Sequence, residues 1–97
     1  MDNNQQNKKV RVGDKEIAMP DNMIIIGNKP LNNYYAMAVD LIERKNFTEI
    51  HVLCIPLHLW KVEKLIESLR KSFDMYERKR DKYVSDKGVQ FISILTK

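Results

Sequence analysis

Two groups of cations in this 97-residue chain have the spacing to act together, and the chemistry they offer is neutralisation of a polyanion. Lys29 lies in Gly27-Asn28-Lys29-Pro30, between the apolar run Met23-Ile24-Ile25-Ile26 and a helical pattern. Gly27 permits a sharp turn, and Pro30 suits a first helical position, where its missing N–H would be unpaired in any case. Amides without partners at such a helix start, with Lys29 beside them, form a perch for a phosphate. The second group is Arg78-Lys79-Arg80-Asp81-Lys82 with Lys87 across a turn, flanked by Tyr76 and Tyr83. Long cationic side chains on a two-stranded arm can follow a groove or a sugar-phosphate backbone, releasing a counterion for each phosphate neutralised. The aromatics can stack on unpaired bases. A solvated charge run that protects a strand edge is the plainer alternative for the arm, as an ordinary surface lysine is for Lys29.

The charge distribution is uneven and leaves both alternatives open. Lys61 to Lys97 holds ten basic residues against six acidic, while Met1 to Trp60 holds seven of each, so the whole net charge of +4 lies in the C-terminal part. An excess of this sign favours polyanionic partners. Catalysis has little to stand on. His51, in a strand, and His58, near a helix start, have no evident orienting carboxylate or metal-ligand spacing. Cys54, between Leu53 and Ile55, fits a core residue whose thiol pKa its neighbours raise. Three scattered glycines cannot make a phosphate-binding loop or a dinucleotide fingerprint. No enzyme activity, cofactor or metal is expected. A lone cysteine excludes an intrachain disulfide, and no stretch resembles a membrane span or a secretory signal. A cytosolic protein is expected, or a nuclear one in a eukaryote, with no membrane partner.

These side chains need elements to position them. Met1 to Lys9 is polar and is expected to be disordered, within an N-terminal extension over 1–22 that precedes one domain over 23–97. Val10 to Met19, with Gly13-Asp14 as a turn, could form a small hairpin toward Ile17. Met23 to Ile26 reads as a strand covered on both faces. Leu31, Tyr34, Ala38, Leu41 and Ile42 recur at helical spacing from about Pro30 to Lys45, with Tyr35, Met37 and Val39 widening the stripe and Asn46 closing the helix. Thr48 to Ile55 reads as a second buried strand, parallel to the first. Pro56 begins a second helix, with Leu59, Val62, Ile66, Leu69 and Phe73 on its apolar stripe and Lys61 mainly outside it. Met75 to Ser85, the turn Asp86-Lys87-Gly88, and Val89 to Leu95 form a hairpin. The fold class is therefore α/β, a two-layer sandwich of order β-α-β-α-β-β with a mixed four-stranded sheet and two helices.

Ile24-Ile25-Ile26-Gly27-Asn28-Lys29-Pro30-Leu31-Asn32-Asn33-Tyr34, then Thr48-Glu49-Ile50-His51-Val52, then a helix and a terminal hairpin, resemble the Alba family of small chromatin and RNA-binding proteins, over about three quarters of the chain. The resemblance implies a fold related to that of the C-terminal domain of translation initiation factor 3. It implies a non-catalytic homodimer, or a heterodimer with an Alba-like paralogue, that binds double-stranded DNA or RNA through a basic body and hairpin arms. Some members are paired subunits of ribonuclease P-type particles. Carried over by position, Lys29 would be the body lysine, with Asn28 in the same loop and Asn33 and Tyr34 supporting that surface. Arg78, Lys79, Arg80, Lys82 and Lys87 would form the arm, and Lys61 joins the candidate nucleic-acid contacts. Two departures stand out. Asn28 occupies a position where the family often has a second lysine, and Ile55-Pro56-Leu57 replaces an Arg-Gly-Arg triplet. Losing those cations should weaken binding and flatten its salt dependence. An apolar loop near Trp60 also suits a protein interface made by Ile55, Leu57 and Trp60. That gives the alternative of an interaction subunit in a ribonucleoprotein or chromatin complex, paired with a more basic partner. Packing of Leu57 and Leu59 on the sheet, with Trp60 shielding them, is the simpler possibility.

Overall fold

The structure is a computed structural model that describes residues 8–97. Most of the tract expected to be disordered lies outside those residues, but its last two members, Lys8 and Lys9, do not. Lys9 opens a strand, Lys9–Val12 (β1), that pairs antiparallel with Lys15–Ala18 (β2) in the expected small hairpin. Gly13, at φ +63, takes the turn conformation that residues with a Cβ rarely adopt. Strand Met23–Ile25 (β3) leads to helix Leu31–Val39 (α1), which runs on as a wider turn over Asp40–Arg44 and stops where Asn46 turns left-handed at φ 62. Strand Glu49–Cys54 (β4) follows and lies parallel to β3. Pro56–His58 forms a single tight 3₁₀ turn before helix Leu59–Phe73 (α2), closed by a left-handed Asp74 at φ 58. Tyr76–Ser85 (β5) and Gly88–Thr96 (β6) form the terminal hairpin.

The sheet order is β3-β4-β6-β5, with β4 and β5 both antiparallel to β6, which is the mixed four-stranded sheet expected. Alternation along the strands divides the core in two. Ile24, Ile26, Ile50, Val52, Cys54 and Leu95 pack beneath Tyr34, Ala38, Leu41, Ile42, Val62, Leu65 and Leu69 of the helical layer. On the opposite face Met23, Leu53 and Ile92 pack against Val10, with Val12 and Met19 around them. The β1–β2 hairpin is thus a cover for part of the second face, not a loose extension. Gln90, itself buried, ties it down: Gly13 N–H donates to Gln90 Oε1 at 2.8 Å, and Gln90 Nε2 donates to Arg11 O at 2.9 Å.

Three expectations need correction. Ile25 is exposed, because the hairpin reaches Met23 but does not cover the edge strand, so β3 is not buried throughout. Met37 faces solvent as well. Lys61, placed mainly off the α2 stripe, is buried at 8% exposure because its ammonium finds partners inside the fold.

Candidate nucleic-acid interface

The strand register decides which basic residues can act together. Ile25 of β3 pairs with Leu53, which pairs with Ile92, which pairs with Asp81 of β5; one step on, Cys54, Phe91 and Lys82 align. The loop after β3, the loop after β4 and the β5–β6 turn therefore leave the same end of the sheet. Gly88 to Gln90 continue past the end of β4, an overhang of about 10 Å at the rise of an antiparallel strand. Three strand spacings separate β3 from β5, about 14 Å. Lys29, Lys82 and Lys87 share this end. Arg78 does not: it lies beside Tyr76 and Thr96, level with Glu49 at the start of β4.

The Lys29 loop is held from two sides. Tyr34, 2% exposed, accepts at its hydroxyl from Gly27 N–H at 2.7 Å and from Lys29 N–H at 3.1 Å. Lys61 Nζ donates to Gly27 O at 2.7 Å and Lys29 O at 2.9 Å, and sits 5.7 Å from the Tyr34 ring centroid. This alters two sequence-based roles. The Gly27 and Lys29 amides are already satisfied and are not a free perch for a phosphate. Lys61, with two carbonyls occupying its ammonium, is a loop clamp more than an open cation. Asn28 and the Lys29 side chain remain exposed, and Lys29 has no ion-pair partner among the described residues. Asn33 is exposed and contributes its backbone N–H to Pro30 O at 3.0 Å.

The neighbouring loop carries the apolar departure. Leu59 packs against the core, but Ile55, Leu57 and Trp60 are exposed at 44%, 71% and 57%. Leu57 and Trp60 therefore do not cover the sheet. Trp60 instead stands beside the clamp, its ring centroid 5.8 Å from Lys61 Nζ.

Along the arm, pairing with carboxylates sorts the cations. Arg80 lies opposite Ser93 on the helical face and donates to Glu77 at 2.7 Å, Glu63 at 2.9 Å and Ser93 Oγ at 3.2 Å. Burial opposes its charge, but the hydrogen bonds to Glu63 and Glu77 outweigh that and keep its pKa above the ordinary arginine value. Arg78, the extra residue of a β-bulge, reaches Glu49 at 3.1 Å, and Lys79 lies 3.6 Å from Asp81. Lys82 and Lys87 are exposed and form no ion pair with any described residue. Tyr76 is exposed; Tyr83 is half-buried beside Gly13.

Sequence reasoning missed two features. His51 does have a carboxylate neighbour: its Nε2 is 2.9 Å from Glu49 Oε2, as two-residue spacing in a strand allows. Glu49 is held below the usual carboxylate range, chiefly by that bond, which outweighs the opposing effect of burial with help from Arg78. The second is Arg11, which donates to Gly13 O at 2.8 Å and Ser85 Oγ at 3.4 Å and so brings a cation to the tip of the arm, where Ser85 pairs with Gly88. Cys54 is buried and burial pushes its thiol pKa up, as expected for a core residue. Among the described residues there is no cavity and no cluster of metal-ligating side chains, and no helix is long and apolar enough to cross a membrane.

No family model and no curated protein matches the chain by sequence. Solved structures do match it. ALBA1 from Trypanosoma brucei superposes with a TM-score of 0.69 at 14% identity, over 81% of this chain and 72% of that one. Alba from Thermoplasma volcanium gives a TM-score of 0.59 at 21% identity, over 78% of this chain and 100% of that one. The chain has the Alba fold.

Proposed function

We propose that this Alba-fold chain binds nucleic acid through its backbone phosphates, without catalysis of its own. The observation that carries this is the grouping of Lys29, Lys82 and Lys87, exposed and free of carboxylate partners among the described residues, at one end of the sheet. About 14 Å between loop and arm corresponds to the axial rise of roughly four nucleotides, so one strand can meet both. Asp86 in the arm's tip offsets part of the Lys87 charge, and three lysines make a modest electrostatic surface. We infer that the bound form is a dimer, with itself or with an Alba-like paralogue, which would double that surface, as a component of a chromatin or ribonucleoprotein particle in the cytoplasm or nucleus.

Fluorescence anisotropy with labelled duplex DNA and structured RNA over a range of salt tests the proposal. Binding at low salt that weakens when Lys29, Lys82 or Lys87 becomes alanine is the expected result; absence of binding at low salt rejects it. Sedimentation at binding concentrations tests the dimer, which a complex containing one protomer refutes.

A further inference from the structure

The Ile55-Pro56-Leu57 turn leads into an exposed aromatic in the first turn of α2, and the surroundings of that aromatic point to a specific ligand. Trp60 is 57% exposed, next to the Lys29 loop, whose lysine has no ion-pair partner among the described residues. A tryptophan in water beside cations is the arrangement by which proteins hold single-stranded nucleic acid: the cation meets the phosphate and the ring takes the base. The Lys61 ammonium, 5.8 Å from the indole centroid, is fixed by two carbonyls and cannot swing away, so the positive side of the ring is built in. A protein interface is a poorer fit. Ile55, Leu57 and Trp60 are three exposed apolar side chains, against the roughly 20–30 residues a side of a stable complex. One base covers an indole; three side chains do not make an interface.

We infer that Trp60 is a stacking platform for an unpaired base of a strand whose adjoining phosphates lie on the Lys29 loop, so that the preferred ligand is single-stranded or looped, not continuous duplex. This rests on the nucleic-acid function proposed above and narrows its ligand class. Ile55 and Leu57, exposed in the turn just before Trp60, add apolar surface without asking for a sequence, since every base has a face to stack.

Trp60 is the only tryptophan in the chain, so its fluorescence reports this site and nothing else. The experiment titrates the whole chain with a single-stranded RNA oligonucleotide and with its fully paired duplex, following indole emission and anisotropy in parallel. Quenching by the single strand but not by the duplex is expected. Trp60→Ala should weaken single-strand binding roughly 5- to 150-fold, the range for one lost stack, with duplex binding nearly unchanged and Trp60→Phe restoring most of the loss. Equal affinity for both ligands with unchanged emission overturns the stacking site while leaving phosphate binding intact. Failure of either ligand to bind at low salt removes both proposals. An emission change that depends on protein concentration and not on oligonucleotide means that Trp60 meets another protein surface, and it too overturns the inference.

Discussion

Replacing Lys61 by methionine separates a structural lysine from a phosphate-binding one. Methionine keeps most of the aliphatic stem that packs at 8% exposure and removes only the ammonium. Two hydrogen bonds are lost, to Gly27 O at 2.7 Å and Lys29 O at 2.9 Å. Each such bond from a charged donor is worth about 1.5–3 kcal/mol net, but the two losses differ. Lys29 is exposed, so its carbonyl can turn to water, whereas Gly27 is half-buried and its carbonyl stays poorly solvated. Burying the ammonium carries its own desolvation penalty, and removing it returns part of the loss. The balance is a destabilisation of roughly 2 kcal/mol. For a domain of under 100 residues that lowers Tm by roughly 8–16 °C. Urea unfolding followed by circular dichroism measures it. Tyr34→Phe removes the other clamp, and the two variants together should lose less than the sum of the two separately, because losing either clamp loosens the loop and weakens the bonds of the other. A Lys61→Met protein as stable as the parent, whose nucleic-acid affinity nonetheless falls with one fewer counterion released, would show that Lys61 is a phosphate contact and that the clamp is wrong.

Gln90→Ala should release the β1–β2 hairpin, lowering stability by about 1–3 kcal/mol and making Val10 to Ala18 sensitive to protease before the rest unfolds. Acid should weaken the Glu49–Arg78–His51 group: because the folded pKa of Glu49 is depressed, its contribution is present above the ordinary carboxylate pKa and disappears as pH falls through the lower folded value. Urea midpoints across that interval should therefore show a smaller loss for Glu49→Gln than for the parent. In nucleic-acid titrations, Arg80→Ala should leave the slope of log K against log salt unchanged, its charge being spent on Glu63 and Glu77, while Lys82→Ala should reduce it by about 0.9 on duplex or about 0.7 on a single strand.

The architecture was legible in the sequence because its signals are local. Three isoleucines in a row, a β-branched run at Thr48 to Ile55 and the 3.6-residue stripe of α2 each imply their element, and Asn46 marked the end of the first helix. What could not be read were relations between distant segments. The bulge at Arg78 shifts the register of β5, so that consecutive basic residues divide between the two faces and between the two ends of the sheet. Lys61 looks like any polar helical residue until the Gly27 and Lys29 carbonyls arrive from 34 and 32 positions away. Val10 and Gln90 each look unremarkable until they meet across the second sheet face. Ion pairing has the same character: Glu49 and Glu63 remove Arg78 and Arg80 from the list of free cations, and neither carboxylate is near its partner in the chain.

That pairing changes which force governs recognition. Three unpaired lysines on a duplex give a slope of about −2.7 per protomer, so raising salt fourfold weakens binding roughly 40-fold. On a single strand the slope is about −2.1 and the loss roughly 20-fold. One stacked base contributes roughly 5- to 150-fold by itself and is largely indifferent to salt. In a surface with many free arginines the backbone would dominate and a single aromatic would be a minor addition. Under the proposed function, the loss from a fourfold rise in salt and the loss of one stack are here of comparable size, because an Ile-Pro-Leu loop stands where cations were expected and because Lys61, Arg78 and Arg80 are engaged within the fold. Electrostatics of this strength suffices for encounter with any polyanion, and it is the exposed indole at the same end of the sheet that has the magnitude to choose among them.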